Sequence, residues 1–461
     1  MIKKRPNVVL TILDALRVEH LSCCGYHRRT SPNIDKIAKE GILFKNAFSP
    51  AIWTVPSMAS IFTGTYPSKH GAVNRHRYLD KELFTLAEML RAEGYETIAY
   101  SNNPFISAKE TGLARGFEVV EGLDYHLRSI KTILWKGFEI ISGVKDNGAF
   151  FTNRYLKSWL KRNYRESSPF FLFIHYLETH APYKWIPKPY KTAFMNNGLR
   201  STDIRSVNQD YRKYLTSSVE MKDRDFEILT SLYDAEIAYL DFRIREIFDL
   251  FKEINILNDT VLIITSDHGE NIGDHNLMHH AYCLYDTLLK VPLIIRYPKI
   301  FSPGHINLDL VSTLDIFPTL LDIIDIERKD VRAQLQGKSI MPDKLSNNTS
   351  EFLFAELEEP INEFKDKYPG FDFSVYDREL KSVRSKEYKF IWSSYGKHEL
   401  YNMENDPAEA HNLIEKEYPK ALRLKEILFD WFNSFSRADN KEDPLEINEK
   451  IKKRLQGLGY Y

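Results

Sequence analysis

Cysteine is nearly absent. Cys23, Cys24 and Cys283 are the only three in 461 residues. An adjacent pair and one distant thiol make no disulfide framework, so a reducing compartment is the simpler expectation. Long apolar runs are lacking as well: no stretch approaches the ~20 residues of a membrane-spanning helix. There is no internal repeat and no low-complexity tract. Charge of one sign is not in excess. A formal net charge of -1 gives no reason to expect nucleic acid or an anionic membrane as a partner. Lys3-Lys4-Arg5 ahead of Val8–Leu13 loosely imitates a secretion signal. That run is short, lacks a small-residue cleavage site and ends on Asp14. A buried first strand explains it better, and the chain is expected to be cytoplasmic.

What is present describes a globular protein, with 43% hydrophobic and 28% charged residues. Short apolar runs recur at Val8–Leu13, Thr97–Tyr100, Phe170–Tyr176, Val261–Thr265 and Val291–Arg296. Helix-like segments lie between them, at Ile34–Glu40, Thr85–Glu93 and Leu229–Lys252. This alternation predicts an α/β fold in which helices sandwich a large, mostly parallel sheet. Residues 121–165 and 185–224 break the rhythm and read as helical insertions that shape access. Past about residue 340 the pattern changes to Phe352–Leu357, Leu380–Ser385, Tyr388–Trp392 and Glu399–Tyr401, followed by a helix over Ala408–Phe435. Residues 341–461 are therefore expected to form a smaller unit, an antiparallel sheet with a helix, beside a catalytic unit of residues 1–340.

Ligand sites in parallel sheets collect beyond the carboxyl ends of the strands. Asp14 ends the first run, and Asp267 and His268 follow the fourth. Thr54 precedes Pro56 and Ser57, which mark the start of a helix through Phe62. A hydroxyl there faces free backbone N–H groups and the positive end of a helix dipole, a setting that stabilises an alkoxide or a tetrahedral oxyanion. Alone, Thr54 reads as an ordinary helix cap. With Asp14, Asp267 and His268 it forms a candidate metal site, in which a divalent ion would acidify the hydroxyl and offset charge on the transferred group. The alternative, a turn at Asp267-His268 with Asp14 as a cap, does not explain why Thr265-Ser266-Asp267-His268-Gly269-Glu270 closes an apolar strand with a metal-competent pair and a permissive glycine.

These motifs resemble the sulfatase family of the alkaline phosphatase superfamily, in order and over nearly the whole chain. They run from Asn7–Asp14 and Thr30–Asp35 through Trp53–Gly64, Thr63–Pro67 and His180-Ala181-Pro182-Tyr183. Thr265–Glu270, Gly273-Asp274-His275, Leu284-Tyr285-Asp286 and Val291–Ile295 follow, then Glu399–Asn402, Asn405-Asp406-Pro407 and Leu458-Gly459-Tyr460. The resemblance implies one divalent ion held by Asp14, Thr54, Asp267 and His268, with Thr54 as covalent nucleophile. It also implies His180 contacting the ester group or protonating the leaving oxygen, and His280 where relatives carry a basic residue. A neutral imidazole near a leaving alkoxide suits general acid duty. His275 and His279 are left outside this set, and Arg75, His76 and Arg77 are weaker candidates for holding an anionic substrate.

The chain departs from the family pattern at four positions. Thr54 stands where the family carries the cysteine that becomes formylglycine, so no formylglycine is expected, and Met58 stands at the signature arginine. Ala15 replaces a second aspartate and His268 a frequent asparagine. Fewer hard oxygens and an imidazole shift the preference from calcium towards manganese, zinc or magnesium. A sulfated formylglycine hydrate expels sulfate by elimination, a route that threonine lacks, whereas a phosphothreonine can be attacked in line at phosphorus. Superfamily members with threonine nucleophiles include nucleotide phosphodiesterases and lipid-linked phosphotransferases. The expected activity is therefore hydrolysis or transfer of phosphate mono- or diesters. Sulfate ester hydrolysis on a glycan or small molecule is the alternative, and a catalytically silent binding protein the third reading.

Overall fold

In the computed structural model the described residues are 5–74, 76–107, 111–122, 145–195, 201–348, 350–358 and 365–438. Arg75, residues 123–144 of the first expected insertion and Leu458–Tyr460 lie outside them. The strands in chain order are β1 (Asn7–Leu13), β2 (Ile42–Phe48), β3 (Glu96–Ser101), β4 (Val119–Glu121), β5 (Phe170–Tyr176), β6 (Thr260–Thr265), β7 (Asn271–Ile272), β8 (Met278–His279), β9 (Lys290–Arg296) and β10 (His305–Ser312). Among the described residues, one sheet of eight strands has the order β10-β2-β9-β6-β1-β5-β3-β4. β1 lies at its centre and pairs in parallel with β5 and β6.

The sheet is mostly parallel, as the apolar runs imply, but it is mixed: β9 runs antiparallel to both β2 and β6. Strand direction is invisible in a two-sided apolar run, because burial on both faces gives the same pattern in either sense. Residues of β1 alternate between the two faces. Val8, Leu10 and Ile12 pack with Phe44, Met58, Phe62 and Phe173, while Val9 and Leu13 pack with Leu172, Ile174, Tyr233 and Phe251. Emptying one such position, as in Phe173→Ala, costs about 3–5 kcal/mol.

The helices that build these layers are α1 (Pro32–Lys39), α2 (Thr54–Thr63), α3 (Leu86–Ala92), α4 (Ala149–Asn163) and α5 (Asp223–Glu253). α1 takes its cap from another helix: Asp241 of α5 accepts the backbone N–H groups of Asn33 and Ile34, at 2.9 and 2.7 Å. The described part of the expected insertion 185–224 carries short helices at Lys188–Lys191, Ser201–Ser206 and Tyr211–Leu215, and residues 196–200 lie outside it. No helix among the described residues is long and apolar enough to cross a membrane.

Strands β11 (Leu353–Leu357), β12 (Leu380–Arg384), β13 (Tyr388–Ser393) and β14 (Glu399–Asn402) form an antiparallel four-stranded sheet in sequence order. Helix α6 (Tyr418–Asn433) packs Ala421, Leu424 and Leu428 against Val383, Phe390 and Leu400. It begins ten residues later than the sequence pattern suggested. Asp406 explains the delay, because its carboxylate accepts the N–H groups of Ala410 and His411 and folds that stretch into a turn.

Candidate active site

Asp14 leaves the C-terminal end of β1, and Asp267 and His268 follow β6, its immediate neighbour. The two strand ends are tied together by short polar bonds. Leu16 N donates to Ser266 Oγ at 2.9 Å, and Ala15 N donates to Asp267 Oδ1 at 3.3 Å. Tyr233 of α5 braces the same turn, donating to Ala15 O and accepting from Arg17 N, both at 2.7 Å. Ala15 is held at φ 59, a strained backbone for a residue with a Cβ, where only the surrounding bonds keep it. Gly269 is required by close approach: a Cβ there would meet Thr287 O at 2.0 Å.

Four fully buried atoms at these ends face one another without hydrogen-bond partners: Asp14 Oδ1, Asp267 Oδ2, His268 Nε2 and His175 Nε2. His268 Nε2 lies 3.6 Å from Asp14 Oδ1 and 3.4 Å from Asp267 Oδ2. His175 Nε2 lies 3.3 Å from Asp14 Oδ2. His268 Nδ1 meets Gly269 O at 2.8 Å, and a carbonyl only accepts, so Nδ1 carries a proton and Nε2 is the atom turned to the two carboxylates. Two buried carboxylates and two imidazoles around one gap fit a divalent cation, since orphaned buried charge is otherwise costly. Asp14, Asp267, His268 and His175 are the side chains that could hold it.

Burial pushes the Asp267 carboxyl up, and the neighbouring charge of Asp14 adds to it. Asp14 goes the other way: burial alone would raise it, but His180, His175 and His268 together hold it below the usual carboxylate range.

Thr54 opens α2, with Trp53 rather than Thr54 in the capping position. The helix thus starts two residues before the proline that signalled it, and the simple cap reading of Thr54 does not apply. The Thr54 hydroxyl is fully buried and is joined to the acidic corner by Asn103. Asn103 Nδ2 donates to Asp14 Oδ2 at 3.2 Å and to Thr54 Oγ1 at 3.4 Å. Met58 is fully buried in the core.

On another side of the site stand His180, His279 and His280, all buried, with one ring nitrogen of each within 4.8 Å of those of the other two. The His280 ring lies 4.3 Å from that of His268, which joins the two groups. Burial lowers the pKa of both His180 and His280. A neutral ring offers an ester oxygen a hydrogen bond, or a cation a lone pair, rather than an imidazolium proton.

Sequence reading placed Asp14, Thr54, Asp267, His268, His180 and His280 here but missed three residues. His175 hides inside an apolar strand; the single imidazole in Phe170–Tyr176, near its C-terminal end, was the available signal. Asn103 sits after β3 and carries no motif. His279 was set aside and belongs beside His280. His275 instead stacks on Tyr285 at 3.8 Å, and Arg77 lies over the rings of Trp53 and Phe105.

Known proteins share this arrangement of chain. Residues 6–326 match the sulfatase family, and residues 273–435 match the family described as N-sulphoglucosamine sulphohydrolase, C-terminal. The chain is 23% identical to an N-acetylglucosamine-6-O-sulfatase of Bacteroides thetaiotaomicron, over 92% of this chain and 85% of the relative. It is 24% identical to the multifunctional alkaline phosphatase superfamily protein PehA of Trinickia caryophylli, over 89% of this chain and 91% of the relative. The solved phosphonate monoester hydrolase of Agrobacterium radiobacter has a TM-score of 0.74 at 21% identity, covering 96% of this chain and all of its own. The first of these matches alone spans well over half of the sequence, and the chain belongs to the sulfatase family of the alkaline phosphatase-like superfamily.

Proposed function

We propose that this sulfatase-family ester hydrolase works through the Thr54 hydroxyl on phosphate mono- or diesters. The observation that carries the reading is Asn103, which holds Thr54 Oγ1 and Asp14 Oδ2 on one amide nitrogen and so sets the hydroxyl against the acidic corner. A divalent ion on Asp14, Asp267, His268 and His175 would lower the hydroxyl pKa and offset charge on the transferred group. The mixed oxygen and nitrogen donors suit manganese, zinc or magnesium better than calcium.

The first step makes a bond from Thr54 Oγ1 to phosphorus while the bond from phosphorus to the alcohol oxygen breaks. The hydroxyl proton goes to solvent, and the alcohol takes one from solvent. His180 and His280 line the side of the site from which the alcohol departs. Water then cleaves the threonine ester in line, releasing phosphate and returning the hydroxyl. An acceptor alcohol in place of water would make the same site a transferase.

Sulfate ester hydrolysis is the second reading, favoured by the family match and by the glycan sulfatase among the relatives. Against it stands the missing aldehyde chemistry at Thr54. The silent reading is disfavoured by a set of orphaned ligand atoms that a relic would have no reason to keep buried.

Metal-loaded protein assayed on nitrophenyl phosphate, bis-nitrophenyl phosphate and nitrophenyl sulfate tests the proposal. Phosphate esters should be preferred, Thr54→Ala should lose all activities together, and quenched enzyme should carry phosphate on Thr54. Preference for the sulfate ester would overturn the leaving group. Activity retained in Thr54→Ala would overturn the nucleophile.

A further inference from the structure

Carboxylate oxygens without partners are buried in a second place, away from the strand ends that carry Asp14 and Asp267. Asp146 ahead of α4, Glu178 just beyond β5 and Glu236 on α5 are all buried, the two glutamates fully. Ala149 N donates to Glu178 Oε1 at 2.7 Å, while Gly148 N and Phe150 N donate to Asp146, each at 2.9 Å. Asp146 and Glu178 therefore share the N-terminus of α4, which offsets part of their charge. Tyr239, one turn on from Glu236 along the same face of α5, donates to Asp146 Oδ2 at 2.5 Å and so sets Glu236 against the pair. Glu178 Oε2 and both oxygens of Glu236 have no hydrogen-bond partner.

Protons alone do not resolve this arrangement. A proton shared by two carboxyls bonds one to the other, and a protonated carboxyl still needs an acceptor, yet Glu236 neither donates nor accepts. Burial, then the charge of Asp146, pushes Glu178 up to about 8. Burial, then Glu178 and Asp146, pushes Glu236 well above the usual carboxylate range, and Lys191, which opposes the rise, is the least of these influences. Oxygens left bare in this way are what a bound cation satisfies.

We propose that Glu178, Glu236 and Asp146 hold a buried divalent cation of the calcium class, in a site separate from the acidic corner. Oxygen donors without nitrogen or sulfur select hard cations, and calcium tolerates irregular geometry better than magnesium does. The ion would tie α4 and α5 to the segment that follows β5. That segment continues to Thr179, whose hydroxyl donates to Asp14 O, and then to His180. The ion thus braces one wall of the active site and takes no part in the reaction.

The test uses Asp267→Asn as its background, because that change disables the acidic corner. Chelator-treated protein is dialysed to equilibrium against calcium and analysed for calcium per chain, and its melting is followed with and without the ion. Asp267→Asn should hold one calcium and melt at a higher temperature with it. The double variant Asp267→Asn/Glu236→Gln should hold none, and its melting should not respond. Terbium in place of calcium gives a second reading, since excitation through Tyr239 should make the bound ion emit in Asp267→Asn and not in the double variant. Glu178→Gln in the same background serves if the double variant fails to give a cooperative melt. No calcium in Asp267→Asn, the result expected if protons alone occupy the site, would overturn the inference. Calcium and terbium emission unchanged by Glu236→Gln or Glu178→Gln would overturn it as well.

Discussion

Two buried charge clusters in this molecule are each built around a buried aspartate and behave in opposite ways. At the strand ends, Asp14 and Asp267 face imidazoles across a gap, and an oxygen of each carboxylate has no partner. Further along, Asp286 is gripped by Arg384 Nη1 at 2.6 and 2.8 Å and by Lys389 Nζ at 2.9 Å. Lys389 also pairs with Glu409 at 2.7 Å, and Glu409 accepts Asp286 N at 2.6 Å. The second cluster is internally neutralised and fastens β12 and β13 to the helical turn Asp286–Leu289 ahead of β9. The first is left without a counter-charge of its own, the arrangement a cation site requires. Buried charge by itself therefore does not mark a site; uncompensated buried charge does.

The sharpest way to break this contrast is to make the same substitution in both clusters. Asp267→Asn should cut divalent-ion binding and turnover by roughly 10³-fold or more. The melting temperature of the metal-free protein should hold or rise, because one of two repelling buried carboxylates is gone. Asp286→Asn should do the reverse, costing about 3–5 kcal/mol by stranding Arg384 and Lys389. Urea unfolding of both variants without metal decides: destabilisation of equal sign would erase the distinction.

A pH series sharpens it further. Burial raises Glu409, helped by Asp286 and opposed by Lys389, to about 7. Its folded value exceeds the unfolded one of ~4.3, so its contribution to stability is fully present only below ~4.3 and is lost as pH rises towards 7. Asp286 is pulled to about 2, since Arg384 and Lys389 outweigh its burial. That contribution is present above the unfolded value and lost as pH falls through 2. Melting curves of Glu409→Gln should therefore be flatter than wild type between pH 4.5 and 7 and unchanged in slope below pH 4.

The smallest effect is expected at the brace of the acidic corner. Tyr233→Phe removes the hydroxyl that serves Ala15 O and Arg17 N, at a cost of about 1–3 kcal/mol. Ion affinity should fall by about ten-fold, because the strained turn after Asp14 loses its support. A calorimetric titration with manganese or zinc reads this directly. An unchanged affinity would show that the sheet alone positions Asp14.

Much of the acidic corner was legible because a strand end is a local signal. Asp14 and Asp267-His268 each terminate an apolar run, and in a parallel sheet such ends share one edge. His175 was illegible for the converse reason: within Phe170–Tyr176 it continues a buried strand, and only pairing with β1 sets its ring beside Asp14. Asn103 is an ordinary loop residue until β3 places it between Thr54 and Asp14. His279 could not be told from its neighbour by spacing, since adjacent residues in a regular strand point apart. Its left-handed backbone turns the ring alongside that of His280 instead.

The sequence by itself determined the alternation of buried strands and amphipathic helices, the chemistry of the strand ends, and the hydroxyl of Thr54 at the start of a helix. These follow from side-chain type and from period, properties each segment carries alone. Tertiary structure decided the direction of β9, the company His175 and Asn103 keep, and the gathering of three imidazoles beside the acidic corner. Those depend on which segments become neighbours, and that is settled by the packing of the whole sheet, because contacts between residues far apart in the chain leave no trace in local pattern.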